Sequence, residues 1–164
     1  GFINVYSEPG KGTTFRVYIP VSPDALEALQ SPAPDTGSIG GAETILLVED
    51  EHAIRESMRH FLERLGYTIL PAESPEAALR LVAEQSKPID LLVTDVVMPG
   101  MNGRELSDRL RAEHAALRCL YLSGYTANVI AHRGILEENV HFLSKPFSLK
   151  ELAHTIRKVL DQPA

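Results

Sequence analysis

Between residues 42 and 162 a β-rich apolar run gives way to a helical stretch five times over, and this alternation constrains the fold more than any other feature. Strand-like runs cover 44–48, 67–70, 89–94, 119–122 and 140–143. The run at 89–94 is rich in apolar residues, as expected of a strand covered on both faces. Helical spacing marks 51–65, where Ile54, Met58, Phe61, Leu62 and Leu65 share a face and Gly66 acts as the stop. Ser74-Pro75 opens a second helix to about Gln85, with serine as cap and proline in the first turn. A third helix runs from Gly103 to about His114, and a short, weakly patterned one covers 127–132. Ser148-Leu149-Lys150-Glu151 is a capping box that opens the last, which ends near Asp161. Regular alternation predicts an α/β fold, a doubly wound five-stranded parallel sheet with helices on both faces. The commonest strand order for five strands is the flavodoxin-like 2-1-3-4-5, whose crevice opens where the first and third strands end.

The residues that follow the strands carry the chemistry. Glu49 and Asp50 follow the first strand, Asp95 the third, Ser123 the fourth and Lys145 the fifth. In a doubly wound sheet all of these lie on one edge, and three carboxylates converge at the switch point. Clustered carboxylates repel one another unless they are paired. A hard cation offsets that repulsion, and Mg²⁺ needs only one or two carboxylates, with waters and a phosphate oxygen completing its shell. Aspartate is a covalent phosphoryl acceptor in some enzymes. A lysine beside it can pair with phosphate oxygens, and a serine hydroxyl can donate to them.

The segments Leu46-Leu47-Val48-Glu49-Asp50-Glu51, Leu92-Val93-Thr94-Asp95-Val96-Val97-Met98-Pro99-Gly100-Met101-Asn102-Gly103, Ser123-Gly124 and Lys145-Pro146-Phe147 together resemble response-regulator receiver domains, over the whole of 42–162. The resemblance implies that Asp95 is the phosphoacceptor. It implies that Asp50 and Asp95 bind Mg²⁺ directly, with the backbone carbonyl of Val97 as a third ligand. Glu49 would hold the metal mainly through water, and many members carry aspartate there. Ser123 would be the switch hydroxyl. Lys145 would pair with the phosphoryl oxygens, next to a cis Lys145-Pro146 bond. Phe142 occupies the aromatic switch position and suits a plain core role equally well. The phosphoryl donor would be a phosphohistidine of the chain's own kinase core or of a histidine phosphotransfer protein. The loop after Ser123, the short helix at 127–132 and Phe142 would rearrange, and that surface, together with the last strand and helix, would form the output face, with a possible dimer contact through the last helix and strand. The residues two beyond the acceptor and two beyond the switch hydroxyl are Val97 and Tyr125, neither suited to activating water, so slow autodephosphorylation is expected.

Ahead of this domain, residues 1–20 contain two alternating strands around Ser7-Glu8-Pro9-Gly10-Lys11-Gly12-Thr13. This segment resembles the end of the ATP-binding domain of sensor histidine kinases. Gly10-Lys11-Gly12 is as compatible with a hairpin turn as with a phosphate contact. The other ATP-binding motifs of that family are not among these residues, so no ATP binding is expected here. A Pro/Ser/Gly-rich linker covers 21–41. The order of kinase tail, linker and receiver implies a hybrid histidine kinase, of which this chain is a piece.

With 44% hydrophobic and 23% charged residues the composition is that of a globular protein, and a net charge of -6 argues against nucleic acid as a partner. No apolar run approaches the length of a bilayer span, so this piece is expected to make no membrane contact, although its parent protein can be membrane-anchored. The single cysteine, Cys119, lies in an apolar run, fits a buried thiol and suits a cytoplasmic setting. Two alternatives to a phosphoacceptor remain. A haloacid-dehalogenase-like phosphatase requires an acid two residues beyond its nucleophile, where Val97 stands, which argues against it. A degenerate receiver that only binds proteins is disfavoured because every acidic, serine and lysine position is filled.

Overall fold

A computed structural model of the chain describes residues 1–19, 39–85, 88–124 and 141–162. The chain divides into two compact units, Gly1–Gly37 and Ser38–Ala164. In the first, β1 (Phe2–Glu8) and β2 (Gly12–Tyr18) pair antiparallel, with Phe2 opposite Tyr18 and Glu8 opposite Gly12. The turn is closed by Lys11 N–H donating to the Glu8 carbonyl at 3.0 Å, and Gly10 and Gly12 take positive φ of 78° and 99°. Gly10-Lys11-Gly12 is therefore a hairpin turn in this structure. The strand side chains are exposed, including Ile3, Val5, Phe15 and Val17.

The second unit holds β3 (Thr44–Val48), α1 (His52–Arg64), β4 (Thr68–Ala72), α2 (Pro75–Glu84), β5 (Leu91–Asp95), α3 (Gly103–Glu113), β6 (Arg118–Ser123), β7 (His141–Ser144) and α4 (Leu149–Leu160). The five strands are parallel in the order β4-β3-β5-β6-β7, which is the expected 2-1-3-4-5. The short helix expected at 127–132, Tyr125 and most of the 21–41 segment lie outside the described residues.

Alternate residues of each central strand feed opposite layers. Ile45 and Leu47 of β3, Leu91 and Val93 of β5 and Leu120 and Leu122 of β6 pack with Met58 and Leu62 of α1 and Leu152 and Ile156 of α4. Leu46, Val48, Leu92, Cys119 and Tyr121 pack on the other face with Ala78 of α2 and Leu106 and Leu110 of α3. Burying each such aliphatic side chain contributes roughly 1.5–3 kcal/mol. These two layers fix the strands whose carboxyl ends form the site.

Three local details depart from the sequence expectation. The second strand continues past Leu70 through Pro71 to Ala72. It lies at the edge of the sheet, where a residue lacking N–H is tolerated. Asn102 caps α3 in a full capping box with Glu105, a cap not assigned from the sequence. Ile39 to Gly41, expected within the linker, are docked on the second unit. Gly41 N–H donates to the Leu65 carbonyl at 3.2 Å, and Tyr67 Oη donates to the Ile39 carbonyl at 3.1 Å.

Candidate functional site

The carboxyl edge of the sheet gathers the acidic residues by simple register. Val48 of β3 lies beside Thr94 of β5, so one residue later Glu49, just past β3, and Asp95, the last residue of β5, are neighbours. Ser123 ends β6 beside Ser144 of β7, and Lys145 comes next. The Lys145 backbone N–H donates to the Ser123 carbonyl at 2.7 Å, which holds the start of the last loop against the fourth strand of the sheet. The Lys145–Pro146 bond is cis, as expected.

Lys145 is the hub. Its Nζ donates to Asp95 Oδ2 at 2.7 Å and to Glu49 Oε2 at 2.8 Å. The Glu49 side chain is only 2% exposed, against 14% for Asp95 and 25% for Lys145. A carboxylate as buried as Glu49 needs such a partner. Burial opposes the lysine charge, but the hydrogen bonds it donates to Asp95 and Glu49 outweigh this and hold the ammonium above the usual lysine range. The second oxygen of Asp95, Oδ1, accepts the Val97 N–H at 3.0 Å, and the Thr94 hydroxyl donates to the Asp95 carbonyl at 3.0 Å. Glu49 Oε1 accepts the Glu51 N–H at 3.3 Å. Asp50 is exposed at the next position. Ser123 is 1% exposed.

The structure thus joins Glu49, Asp95 and Lys145 directly, and sets Asp50, Val97 and Ser123 on the same edge. Phe142 on β7 is half-buried, and its ring packs against Tyr121 with centroids 5.4 Å apart. Gly103, the first residue of α3, packs so closely beneath the acceptor that an added Cβ would collide with the Asp95 carbonyl and the Thr94 side chain. Sequence reasoning missed Arg55. This α1 residue is 8% exposed, and its Nη1 donates to the Glu49 carbonyl at 2.6 Å and to the Asp50 carbonyl at 3.3 Å. The available signal was a charged residue on the same helical face as Met58 and Leu62. No three His, Cys, Asp or Glu side chains gather into a metal cluster among the described residues. The oxygen-only donors nevertheless suit a hard cation that needs one or two carboxylates and keeps several waters.

The family model for the response regulator receiver domain matches residues 45–157. The chain belongs to this family. Receiver domains act in two-component signalling and take their phosphoryl group from histidine kinases or phosphotransfer proteins. The chain is 37% identical to the sensor kinase CckA of Brucella abortus over 99% of its own length, and spans 18% of that kinase. It is 33% identical to the response regulator receiver protein CpdR of the same organism, covering 71% of this chain and 95% of CpdR. The crystal structure of the receiver domain from the hybrid histidine kinase CckA superposes with a TM-score of 0.61 at 36% identity, covering 72% of this chain and 99% of that one. The receiver fold and the relation to hybrid sensor kinases therefore agree with the sequence reading. None of the described helices is long and apolar enough to cross a membrane.

Proposed function

We propose that this receiver accepts a phosphoryl group on Asp95 from a phosphohistidine, within a hybrid histidine kinase. The observation that carries the reading is the Lys145 ammonium held between Asp95 and the buried Glu49 at the sheet's carboxyl edge. The transfer forms a bond from an Asp95 carboxylate oxygen to phosphorus and breaks the P–N bond, leaving a histidine that takes up a proton. Val97 N–H and Lys145 fix the orientation of the Asp95 carboxylate before the donor arrives, so little ordering remains for the reaction itself. Lys145 then follows the negative charge from the carboxylate to the phosphoryl oxygens, and the Ser123 hydroxyl joins it there. Asp50, Asp95 and the Val97 carbonyl would hold Mg²⁺, with Glu49 acting through water. The bound ion supplies positive charge against the phosphoryl oxygens. Phe142 would change its packing against Tyr121 as Ser123 moves. Val97 is apolar and Tyr125 bulky, and neither is suited to activating water, which supports a long-lived aspartyl phosphate.

A groove of about 480 Å³ runs beside Lys145, lined by Ala53, Ile54, Met58, Pro146, Phe147 and Leu149. Its apolar walls suit the helices of a histidine-bearing donor. The alignment with the sensor kinase covers 99% of the chain, whereas that with the stand-alone receiver covers 71%. This difference supports reading 1–20 as the end of a kinase ATP-binding domain, 21–41 as linker and 42–162 as receiver. The test is intact mass after incubation with Mg²⁺ and a small-molecule phosphodonor. One added phosphoryl is expected, absent in Asp95→Asn and in EDTA. Equal labelling of Asp95→Asn would overturn the assignment of the acceptor.

A further inference from the structure

We propose that Arg55 is a positioning residue that aims the Asp50 carboxylate by pinning the backbone of the Glu49–Asp50 turn, and so sets the affinity of the acidic site for a divalent cation. The inference rests on the receiver reading above and extends it to a residue that makes no contact with the acceptor.

Beyond β3 the chain turns sharply into α1, and the turn is secured from both sides. Glu49 N–H donates to the Ala72 carbonyl of the neighbouring strand at 3.2 Å. On the other side the Arg55 guanidinium takes the next two carbonyls, of Glu49 at 2.6 Å and of Asp50 at 3.3 Å, through the same nitrogen. Its other terminal nitrogen lies 3.2 Å from His52 Nδ1. A guanidinium has only donors, so Nδ1 accepts. The group is thus held in one plane by three acceptors, and the residue is 8% exposed. The backbone N–H of Arg55 also donates to the Glu51 carbonyl at 3.0 Å, closing the first turn of α1.

The Glu49 side chain has its own anchors in Lys145 and the Glu51 N–H. The exposed Asp50 carboxylate accepts no hydrogen bond from the described residues, so its direction is set by the backbone beneath it. Arg55 is the only side chain among the described residues that grips this stretch of backbone through its carbonyls. Lysine at this position would keep the charge but lose the rigid planar fork that reaches two carbonyls and a ring nitrogen together. Methionine would fill the space with neither.

Charge and aim predict opposite results. A cation near an acidic site repels a second cation. If Arg55 acted only through its charge, Arg55→Met would bind Mg²⁺ more tightly and Arg55→Lys would match the wild type. If it aims Asp50, both variants bind Mg²⁺ more weakly, in spite of the lost repulsion in the methionine variant.

The experiment uses the full chain. Mg²⁺ binding is measured by isothermal titration calorimetry for the wild type, Arg55→Lys and Arg55→Met, and folding is checked by thermal melts in EDTA. Phosphorylation rate against Mg²⁺ concentration is followed by intact mass. At least a fivefold rise in the Mg²⁺ dissociation constant is expected in both variants. The half-saturating Mg²⁺ for phosphorylation should rise in step, while the maximal rate at saturating Mg²⁺ stays within about twofold. A lysine variant that is folded and binds Mg²⁺ like the wild type overturns the inference and leaves the receiver reading intact. A methionine variant that binds more tightly does the same. A wild-type chain that neither binds Mg²⁺ nor takes a phosphoryl group overturns both.

Discussion

Replacing Lys145 by methionine tests whether the ammonium is structural as well as chemical. The side chain touches two carboxylates, at 2.7 and 2.8 Å, and one of them belongs to the almost fully buried Glu49. Removing one partner of a fully buried pair costs about 3–5 kcal/mol, because the other charge is left without compensation. Lys145 is 25% exposed, so water screens part of that loss, and the expected destabilisation in EDTA is ~2–3 kcal/mol. For a unit of this size such a change lowers Tm by roughly 10 °C. Most of the cost should come from orphaned Glu49, since Asp95 is the more exposed partner and keeps the Val97 N–H. Glu49→Gln removes that charge, so the double variant should lose less than the sum of the singles, by about 1–2 kcal/mol. Urea unfolding of the four proteins in EDTA reads this directly. A Lys145→Met protein within about 0.5 kcal/mol of the wild type, or strict additivity in the cycle, would refute the assigned role of Glu49.

Two further outcomes follow from other parts of the unit. Gly103→Ala drives a methyl against the Asp95 carbonyl and the Thr94 side chain, so it should cost roughly 1–3 kcal/mol and slow phosphoryl acceptance. Urea unfolding and intact mass check the two effects. His141, at the start of β7, is pushed below the usual histidine range by burial, then by the nearby Lys158 and Arg111 charges. The unfolded chain therefore binds a proton that the folded one resists. The associated stability is present above pH 6.5 and is lost as pH falls through the depressed folded value. His141→Gln should lose less stability than the wild type between pH 7.5 and pH 5.5, and equal losses by urea unfolding would contradict the assignment.

The sheet was legible because its signals are local and repeated. Ile45 to Val48 and Leu91 to Val93 are apolar at consecutive positions, which only a strand covered on both faces requires. Right-handed crossovers and the commonest order for five such strands then place Glu49, Asp95, Ser123 and Lys145 on one edge before any contact is known. What stayed hidden depends on partners distant in sequence. The strand-like run was read only to Leu70, because the place of Pro71 in it depends on β4 being an edge strand. Arg55 drew no notice in the sequence, since its acceptors are backbone carbonyls and carry no side-chain signature. Ile39 to Gly41 read as linker from composition. Their attachment depends on Leu65 and Tyr67, which no local pattern connects to them. Asn102 is different, because the Asn-x-x-Glu spacing that caps α3 is local and stands in the sequence itself.

The pairing of Lys145 also bears on the energetics of transfer. Before transfer its charge is shared between Asp95 and Glu49. On the proposed reading, the Asp95 charge moves outward onto the phosphoryl oxygens, and Lys145 exchanges a carboxylate contact for a phosphoryl contact. Such an exchange replaces one charge-assisted hydrogen bond by another of similar strength, each worth about 1.5–3 kcal/mol, so the net change at Lys145 is small. On that reading Glu49, buried at rest, keeps the ammonium near the acceptor after transfer as well. A site arranged in this way stores little extra energy in the lysine itself. Any free energy that favours the phosphorylated conformation must then arise from contacts absent at rest, such as the Ser123 hydroxyl with the phosphoryl group. On the same proposed reading, a phosphoryl group held without a deep well at Lys145 is also one that can be handed back to a histidine.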